Sequence, residues 1–185
     1  MTEKQLRADA RRNRLKVLEA AQQAFADAGV GVPLDDIARR AGVGAGTVYR
    51  HFPTKEALFE AVVQHRVEQL IEDAKQRARG DDPGEAFFGF LGRLADTAAA
   101  KKDLTDALAG AGVATDSNIA AATQEMQGAL GVLLDRAQRA GAVRKDVTGE
   151  HLVALLKGAL VAVQHGDDPD LGARVFAVLT DGLRA

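Results

Sequence analysis

The sequence contains no cysteine and no tryptophan among its 185 residues, and aromatic side chains make up only 4% of it. Without cysteine there is no disulfide framework, no thiol nucleophile and no thiolate metal site, which fits a reducing, cytoplasmic location. No apolar run is long enough to cross a membrane, and the polar, basic stretch from Met1 to Lys16 has no apolar segment behind it. We therefore expect a protein that is neither exported nor membrane-spanning.

The composition is that of a folded globular chain, with 46% hydrophobic and 27% charged residues. Its length allows one domain of ordinary size or two small ones and excludes a large multidomain enzyme. The net charge of −2 conceals an asymmetry: up to Lys55 there are 10 Lys and Arg against 6 Asp and Glu, and after it 14 against 20. A basic segment on an acidic body suggests a polyanionic partner for the basic segment alone.

Helix signals occur throughout and strand signals are almost absent, since Ala and Leu recur at three- and four-residue spacing. We therefore predict an all-α protein of about nine helices, with a first helix from Arg11 to Gly29. Pro33 is expected to open the second helix, and Gly42 to end it. A third, short helix ends at Phe52.

The remaining helix boundaries are marked by capping residues. Thr54 caps a long fourth helix that ends before Gly80, and Asp82 with Pro83 starts a fifth. A weak helix is predicted between residues 103 and 112, a long one over 117–140, one over 148–165 and a last one opened by Asp168 and Pro169. The predicted domains are 11–55, a helix-turn-helix domain, and 56–185, a helical ligand-binding and dimerisation domain.

Two short helices joined by Gly42, Val43 and Gly44 have the layout of a helix-turn-helix, although many helix corners look similar. In the second of them Val48 and Phe52 point one way, while a small, polar and basic face points the other. On that face the small residues Gly44, Ala45 and Gly46 allow close approach to a duplex. Thr47 and Arg50 can address base edges, and Tyr49, His51 and Lys55 can donate to phosphates.

The segment LDDIARRAGVGAGTVYRHFPTKE, residues 34–56, resembles the DNA-binding signature of the TetR family of regulators, and with Ala21, Phe25 and Gly29 the resemblance covers about residues 15–62. It implies a homodimeric transcription factor, usually a repressor, whose C-terminal helices bind a small ligand and release a DNA operator. Pro33 departs from the Thr or Ser common at its position, which removes a hydroxyl and an amide donor. The DNA contacts that the resemblance implies are Leu34, Val43, Gly44, Ala45, Gly46, Thr47, Tyr49, Arg50, His51 and Lys55.

Several residues of this segment also have a purely structural interpretation. His51 can satisfy the last carbonyls of its helix, and the ring of Tyr49 can pack in the core while its hydroxyl reaches outward. Arg39 and Arg40 fit a solvated helix face better than base readout. Four arginines at 7, 11, 12 and 14 form either a disordered basic tail or an arm that follows the DNA.

The two last helices are expected to pair with their copies in a second subunit, forming a four-helix interface, although a monomer core would show a similar pattern. The helix from Thr148 is apolar around most of its circumference, and the last helix adds a second apolar stripe. The predicted interface residues are Leu152, Leu155, Leu156, Ala159, Leu160, Val163, Leu171, Val175, Val178, Leu179 and Leu183.

The effector is expected to be largely apolar, because few charges on the C-terminal helices have a buried pattern. A phenylalanine-rich stripe is also typical of plain core. The predicted pocket residues are Val62, His65, Phe87, Phe88, Phe90, Leu91, Leu94 and Met126.

Other classes of function receive less support. The histidines have no ligand-like spacing to carboxylates, so we expect no metal and no cofactor. No nucleophile and base or paired carboxylates stand out, so an enzyme is not expected. A TetR-like activator remains an alternative, and so does an adaptor that has lost DNA readout, although the set Thr47, Tyr49, His51 and Lys55 argues against the adaptor.

Overall fold

The computed structural model describes residues 3–29, 31–109, 118–165, 168 and 170–185. Over these residues the chain forms eight α-helices and no β-strand, which confirms the all-α class. The helices are α1 (Glu3–Ala28), α2 (Leu34–Ala41), α3 (Ala45–His51), α4 (Lys55–Arg77), α5 (Pro83–Ala109), α6 (Asn118–Arg139), α7 (Gly149–His165) and α8 (Leu171–Leu183). The separate weak helix predicted from residue 103 is wrong, because no breaker interrupts α5 before Ala109.

The described chain divides into two compact units. The N-terminal unit contains the chain up to Arg66, and residues 103–109 group with it; the C-terminal unit begins at Val67 and includes α6, α7 and α8. The units divide inside α4. The predicted domain limit at Lys55 coincides with the start of α4.

One cluster of buried side chains holds the N-terminal unit together. Phe25, Ile37, Val48 and Leu58 come from four different helices and are almost fully buried in it. The ring centroids of Phe25 and Phe59 are 6.1 Å apart. Because α2 and α3 are short, this shared burial rather than intrinsic propensity keeps them helical.

Helix α1 begins earlier than predicted, at Glu3 instead of Arg11. The segment before Arg11 contains no glycine or proline, so nothing in it stops helix propagation towards the N-terminus. Asp9 and Arg12 form an ion pair one turn apart within it. The four arginines considered as a disordered tail are therefore part of the helix. At the other end α1 stops as predicted, where Gly29 takes a left-handed φ of 70°.

Pro33 lies immediately before α2 and is not its first helical residue. It has an extended ψ of 146°. Its carbonyl accepts hydrogen bonds from the amides of Asp36 at 3.1 Å and Ile37 at 3.2 Å. The expectation that proline opens the helix is wrong by one position, because its fixed φ of −64° suits the cap as well as the first turn.

The capping residues predicted for α4 and α5 are confirmed. The hydroxyl of Thr54 accepts a hydrogen bond from the amide of Ala57 at 3.1 Å. The carboxylate of Asp82 accepts one from the amide of Glu85 at 2.9 Å. Each bond satisfies a donor that the first turn of a helix leaves without a partner.

The C-terminal unit has a second core, formed by side chains from α4 to α8. Phe87 and Phe90 of α5 are fully buried there together with Leu91, Leu133 and Leu152. Most of its members are aliphatic, as the scarcity of aromatic residues requires. None of the described helices combines the length and the apolarity needed to cross a bilayer.

The turn between α6 and α7 is tied to the end of α8. Val143 forms an isolated antiparallel bridge with Arg184, and the amide of Arg144 donates to the carbonyl of Leu183 at 3.1 Å. The guanidinium of Arg144 also binds both carboxylate oxygens of Asp146 at 2.7 Å, which lowers the pKa of that carboxyl below its usual value. These bonds fix the end of α8 against the turn.

Arg136 of α6 caps the C-terminal end of α4. Its guanidinium donates to the carbonyl of Ala78 and, at 2.6 Å, to the carbonyl of Gly80. The last carbonyls of a helix have no partner within it, and a cation there also interacts favourably with the helix dipole. Arg136 therefore fixes the end of α4 to α6.

We expect Arg136→Ala to lower the free energy of unfolding by about 2 kcal/mol, a value within the range of about 1.5–3 kcal/mol measured for hydrogen bonds made by charged groups. The matched control is Arg139→Ala on the same helix, which removes only an exposed pair with Asp135 and should cost about 0.3–0.5 kcal/mol. Urea unfolding followed by circular dichroism measures both. Equal effects of the two substitutions would contradict a capping role for Arg136.

Candidate nucleic-acid interface

The connection between α2 and α3 is a tight turn built on Gly42. This residue has a left-handed φ of 66°, and the amide of Val43 donates to the carbonyl of Ala38 at 3.1 Å. That bond spans six residues and is the outer of the two hydrogen bonds of a Schellman motif. Gly44 is extended again, and its carbonyl accepts the amide of Thr47 at 2.8 Å to begin α3. The two helices and this turn have the predicted helix-turn-helix layout.

Helix α3 is oriented by the two residues expected to face inward. Val48 is 0% exposed and Phe52 is 2% exposed, and both belong to the core of the N-terminal unit. The amide of Phe52 closes the helix by donating to the carbonyl of Val48 at 2.8 Å. With this side fixed inward, the opposite side of α3 has to face outward.

The residues predicted to contact DNA differ in their exposure. Gly44, Ala45, Gly46, Tyr49 and Arg50 are exposed. Val43, Thr47, His51 and Lys55 are half-buried, and Leu34 is buried in the core of the N-terminal unit. A contact from Leu34 therefore has to come from its backbone amide in the first turn of α2. For Tyr49 the exposed fraction of 48% agrees with a ring that packs partly and a hydroxyl that is accessible.

The arginines and lysines around the turn fall into two groups. Arg39 pairs with Asp36 at 2.9 Å, and Arg40 pairs with Asp27 at 3.2 Å. In the part of the chain that the structure describes, Arg50 and Lys55 form no ion pair. The uncompensated positive charge therefore lies at the end of α3 and at the start of α4, whereas that of α2 is neutralised.

Lys55 is the first residue of α4, a helix of 23 residues. The amides of a first helical turn point outward, and together with the helix dipole they favour an anion. A lysine in that turn adds a full charge at the same place. The start of α4 is therefore suited to bind an anion.

Family profiles cover most of the chain. One described as bacterial regulatory proteins, tetR family, matches residues 17–62, and one described as transcriptional regulator SbtR-like, C-terminal domain, matches residues 82–185. The second match spans more than half of the sequence. The chain belongs to the TetR family of transcriptional regulators. It is accordingly a DNA-binding regulator and not an enzyme.

Solved structures of TetR regulators extend the similarity over nearly the whole chain. A TetR regulator from Mycobacterium vanbaalenii is 48% identical with a TM-score of 0.77, covering 97% of this chain and 99% of that one. The regulator SCO0520 from Streptomyces coelicolor is 35% identical with a TM-score of 0.75, covering 92% and 98%. Both similarities extend over the helix-turn-helix and the helical C-terminal part.

Similarity to curated HTH-type regulators is more limited. The HTH-type transcriptional activator FasR of Mycolicibacterium smegmatis is 36% identical over 92 residues, which are 45% of this chain and 41% of that protein. An HTH-type transcriptional regulator of Staphylococcus aureus is 38% identical over 72 residues, 38% of this chain and 39% of that protein. The matches thus span well under half of these relatives.

The predicted effector-pocket residues are divided between the two units. Val62 belongs to the core of the N-terminal unit, and His65 is half-buried on α4. The remaining ones belong to the core of the C-terminal unit or pack against it: Phe87, Phe88, Phe90, Leu91, Leu94 and Met126. Phe87 and Phe88 meet edge to face at 5.2 Å, an ordinary core contact.

A surface depression of about 380 Å³ lies in the C-terminal unit. Of the predicted pocket residues only Phe88 lines it, under the guanidinium of Arg184 at 4.3 Å from the ring centroid. Asp82 and Glu85 also line it, so its walls are more polar than an apolar effector requires. No group of carboxylates and histidines suited to hold a metal ion occurs in the described residues.

The predicted interface residues of α7 and α8 divide by burial. Those packed inside the chain's own core are Leu152, Leu156, Ala159, Val163 and Leu183. Those half-buried are Leu160, Leu171, Val175 and Leu179. Only Leu155, at 48%, and Val178, at 74%, are exposed; Val161 on α7, which is not among the predicted interface residues, is 54% exposed. Val161 belongs to the same largely apolar helix as Leu155, so the pattern that suggested Leu155 could also have suggested Val161.

Substitution by alanine should change the stability of the protein in opposite directions at two glycines of the helix-turn-helix. Gly42→Ala should lower the free energy of unfolding by about 1–2 kcal/mol, because a left-handed backbone is costly for any residue with a Cβ. Gly46→Ala should raise it by up to about 1 kcal/mol, because Gly46 lies inside α3 and a Cβ there meets no atom within 4 Å. Thermal and urea unfolding measure both. A loss of stability on Gly46→Ala would contradict the open face.

Proposed function

We propose that the protein is a repressor that binds a palindromic operator as a homodimer and leaves it when a small effector binds. The observation that carries the proposal is the surface of α3: it exposes small residues and Arg50, which has no ion pair among the described residues, while Val48 and Phe52 are buried. A narrow, cationic helix face of this kind fits the major groove.

Within the groove we assign two kinds of contact. Thr47 and Arg50 point from the outer face of α3 towards base edges, where Arg can bind guanine with two hydrogen bonds. Tyr49, His51 and Lys55 donate to phosphates on either side and fix the position of the helix. Because neither Gly44 nor Gly46 carries a side chain, the backbone of the turn can lie close to the duplex.

The proposed dimer places two copies of α3 in successive major grooves. Their separation then has to be about 34–36 Å, one turn of the duplex. Leu155 and Val178, with the half-buried Leu160, Val175 and Leu179, form the apolar surface of α7 and α8 available to a second copy. The residues of those helices that are buried in their own chain support this surface from behind.

Release by effector is proposed to follow from a shift between two dimer arrangements. A ligand that binds only the arrangement with the wrong spacing of the two α3 helices removes the protein from DNA. Helix α4 links the DNA end to the rest of the chain, since it runs without a break from Lys55 to Arg77. The effector is expected to be largely apolar and to bind among the phenylalanines of α5.

Activation is the second candidate, because one of the curated relatives, FasR, is named a transcriptional activator. Both functions use the same contacts with DNA and differ in where the operator lies relative to the promoter. Sequencing of genomic fragments bound by the protein, followed by a reporter assay with and without the gene, separates them. Higher reporter output without the protein supports repression.

Substitutions in the two proposed contact groups should have different effects on sequence preference. His51→Ala and Lys55→Ala are expected to weaken binding to all duplexes alike and to lower the slope of log K against log salt by about 0.9 each. Changes at Thr47 or Arg50 should alter the preferred bases by about 1–3 kcal/mol per lost contact. Gel shifts on a library of sites measure both effects. A uniform loss from all four would contradict this division.

Gly46→Ala provides a control for folding in the same assay. It should weaken DNA binding even though it stabilises α3, because the added methyl group occupies the space through which the backbone approaches the duplex. Weaker binding combined with higher stability cannot arise from unfolding. Unchanged affinity would contradict close approach at this position.

A further inference from the structure

The outer side of α8 carries two opposite charges with small and apolar residues between them. Arg174, Ala177, Val178 and Asp181 have the spacing that places side chains on one face of a helix. All four are exposed, and we name them the α8 face. Its two charged ends are about 10 Å apart along the helix, at about 1.5 Å per residue.

The opposite side of α8 is occupied by the core of its own unit. Phe176 and Leu183 are buried there. Gly172 is buried as well, and a Cβ at this position would lie 3.5 Å from the side chain of Val163 on α7. These contacts fix the rotation of α8, so the α8 face points away from the core of its own chain.

The charged ends of the α8 face are only weakly engaged within their own chain. The guanidinium of Arg174 lies 3.6 Å from the carboxylate of Asp168 and 3.8 Å from that of Asp170. The carboxylate of Asp181 lies 3.8 Å from the guanidinium of Arg184. Contacts of this length between exposed side chains contribute little to stability. Both end charges are therefore available to a partner.

The centre of the α8 face is apolar and open. Val178 is 74% exposed, the highest value of any large apolar side chain in the described residues. Ala177 beside it is small enough to let another helix approach closely. An apolar centre with charges at its edge is the usual composition of a protein–protein interface. The α8 face therefore has the composition of a contact surface.

Two-fold symmetry determines which copy of α8 this pattern can bind. In a two-fold contact the same residues occur on both sides of the axis. If two α8 helices cross antiparallel, with the axis beside Ala177 and Val178, Arg174 of each copy meets Asp181 of the other. In a parallel arrangement the like charges would meet and repel. The pattern is therefore complementary to itself in the antiparallel arrangement.

We propose that the α8 face pairs antiparallel with the α8 face of a second copy of this chain. Val178 meets its own copy at the centre, and two Arg174–Asp181 pairs flank it. The inference rests on the proposed homodimer and adds the register of the two helices and the selection of the partner. Charges at the edge of an interface act more on the choice of partner than on affinity. A related chain without this charge order is accordingly a poor partner.

The test uses two charge reversals, Arg174→Glu and Asp181→Lys. In a homodimer of either variant both edge contacts join like charges. In a dimer of one variant with the other, both contacts join opposite charges. The matched control is Arg139→Glu, which reverses an exposed arginine on α6, outside the α8 face. Circular dichroism establishes folding, and native mass spectrometry counts the dimers after two chains are refolded together from urea.

Each reversal alone is expected to raise the dissociation constant of the homodimer about 30-fold, because two exposed attractions become repulsions. Heterodimers should then exceed about nine-tenths of the dimers when the two variants are mixed, against about one half for random pairing. Arg139→Glu mixed with the wild type should stay at about one half. At about 1 M salt the excess of heterodimers should largely disappear, because charges are screened within about 3 Å.

The outcomes separate this inference from the homodimer on which it rests. If the wild type is a dimer and the two variants pair at random, the register of α8 is wrong while the homodimer stands. A wild type with the mass of a single subunit under all conditions would contradict the homodimer itself. Preferential pairing of Arg174→Glu with the wild type would indicate parallel helices and overturn the antiparallel contact. An excess of heterodimers that high salt leaves unchanged would contradict pairing by charge.

The double variant Arg174→Glu/Asp181→Lys serves if a single variant does not fold. It restores both pairs with their polarity exchanged, so it should dimerise with itself as tightly as the wild type does. Mixed with the wild type, it should form heterodimers as less than about one-tenth of the dimers, because both contacts then join like charges. Random pairing of these two chains would contradict the proposal.

Discussion

The structure of the DNA-binding end depends on the burial of Val48 and Phe52 in the core of the N-terminal unit. Helix α3 has only seven residues, too few to be helical by itself in water. Two side chains on one face and the left-handed turn at Gly42 therefore determine both that the helix exists and which way it faces. The outer face can carry small and cationic residues because its exposed positions, Ala45, Gly46 and Arg50, contribute little to packing. This division lets the contacts with DNA vary while the fold is preserved.

The distribution of ion pairs carries more information about the partner than the net charge does. The arginines of α2 are neutralised by aspartates, and so is Arg12 of α1. Among the described residues, Arg11, Arg14, Arg50 and Lys55 are not. These four lie on α1, at the end of α3 and at the start of α4. The basic excess of the first 55 residues is thus concentrated at sites where a duplex backbone can neutralise it.

Most helix boundaries were predictable because they are encoded locally. A left-handed glycine at 29 or 42 and a capping side chain at Thr54 or Asp82 act on the adjacent turn alone, so the sequence is enough to place them. Where no breaker exists, the apolar pattern was a poorer guide. Helix α1 starts earlier than predicted because residues 3–10, which are mostly polar or small, continue it without a marked apolar stripe. Helix α5 is continuous where two helices are predicted, since nothing stops it before Ala109.

Which apolar residues face a partner was less predictable, because periodicity identifies a buried face without identifying what covers it. Leu155 and Leu156 are neighbours of the same residue type on α7, yet one is 48% exposed and the other 4%. The rotation of the helix that separates them is fixed by contacts with its neighbours α6 and α8, and the spacing of apolar residues along α7 does not give the positions of those two helices. Val62 and Phe87 are both predicted to line the effector pocket, yet Val62 is buried in the core of the N-terminal unit and Phe87 in that of the C-terminal unit. By contrast, α3 follows α2 through a tight turn fixed by Gly42, so its outward face follows from local spacing.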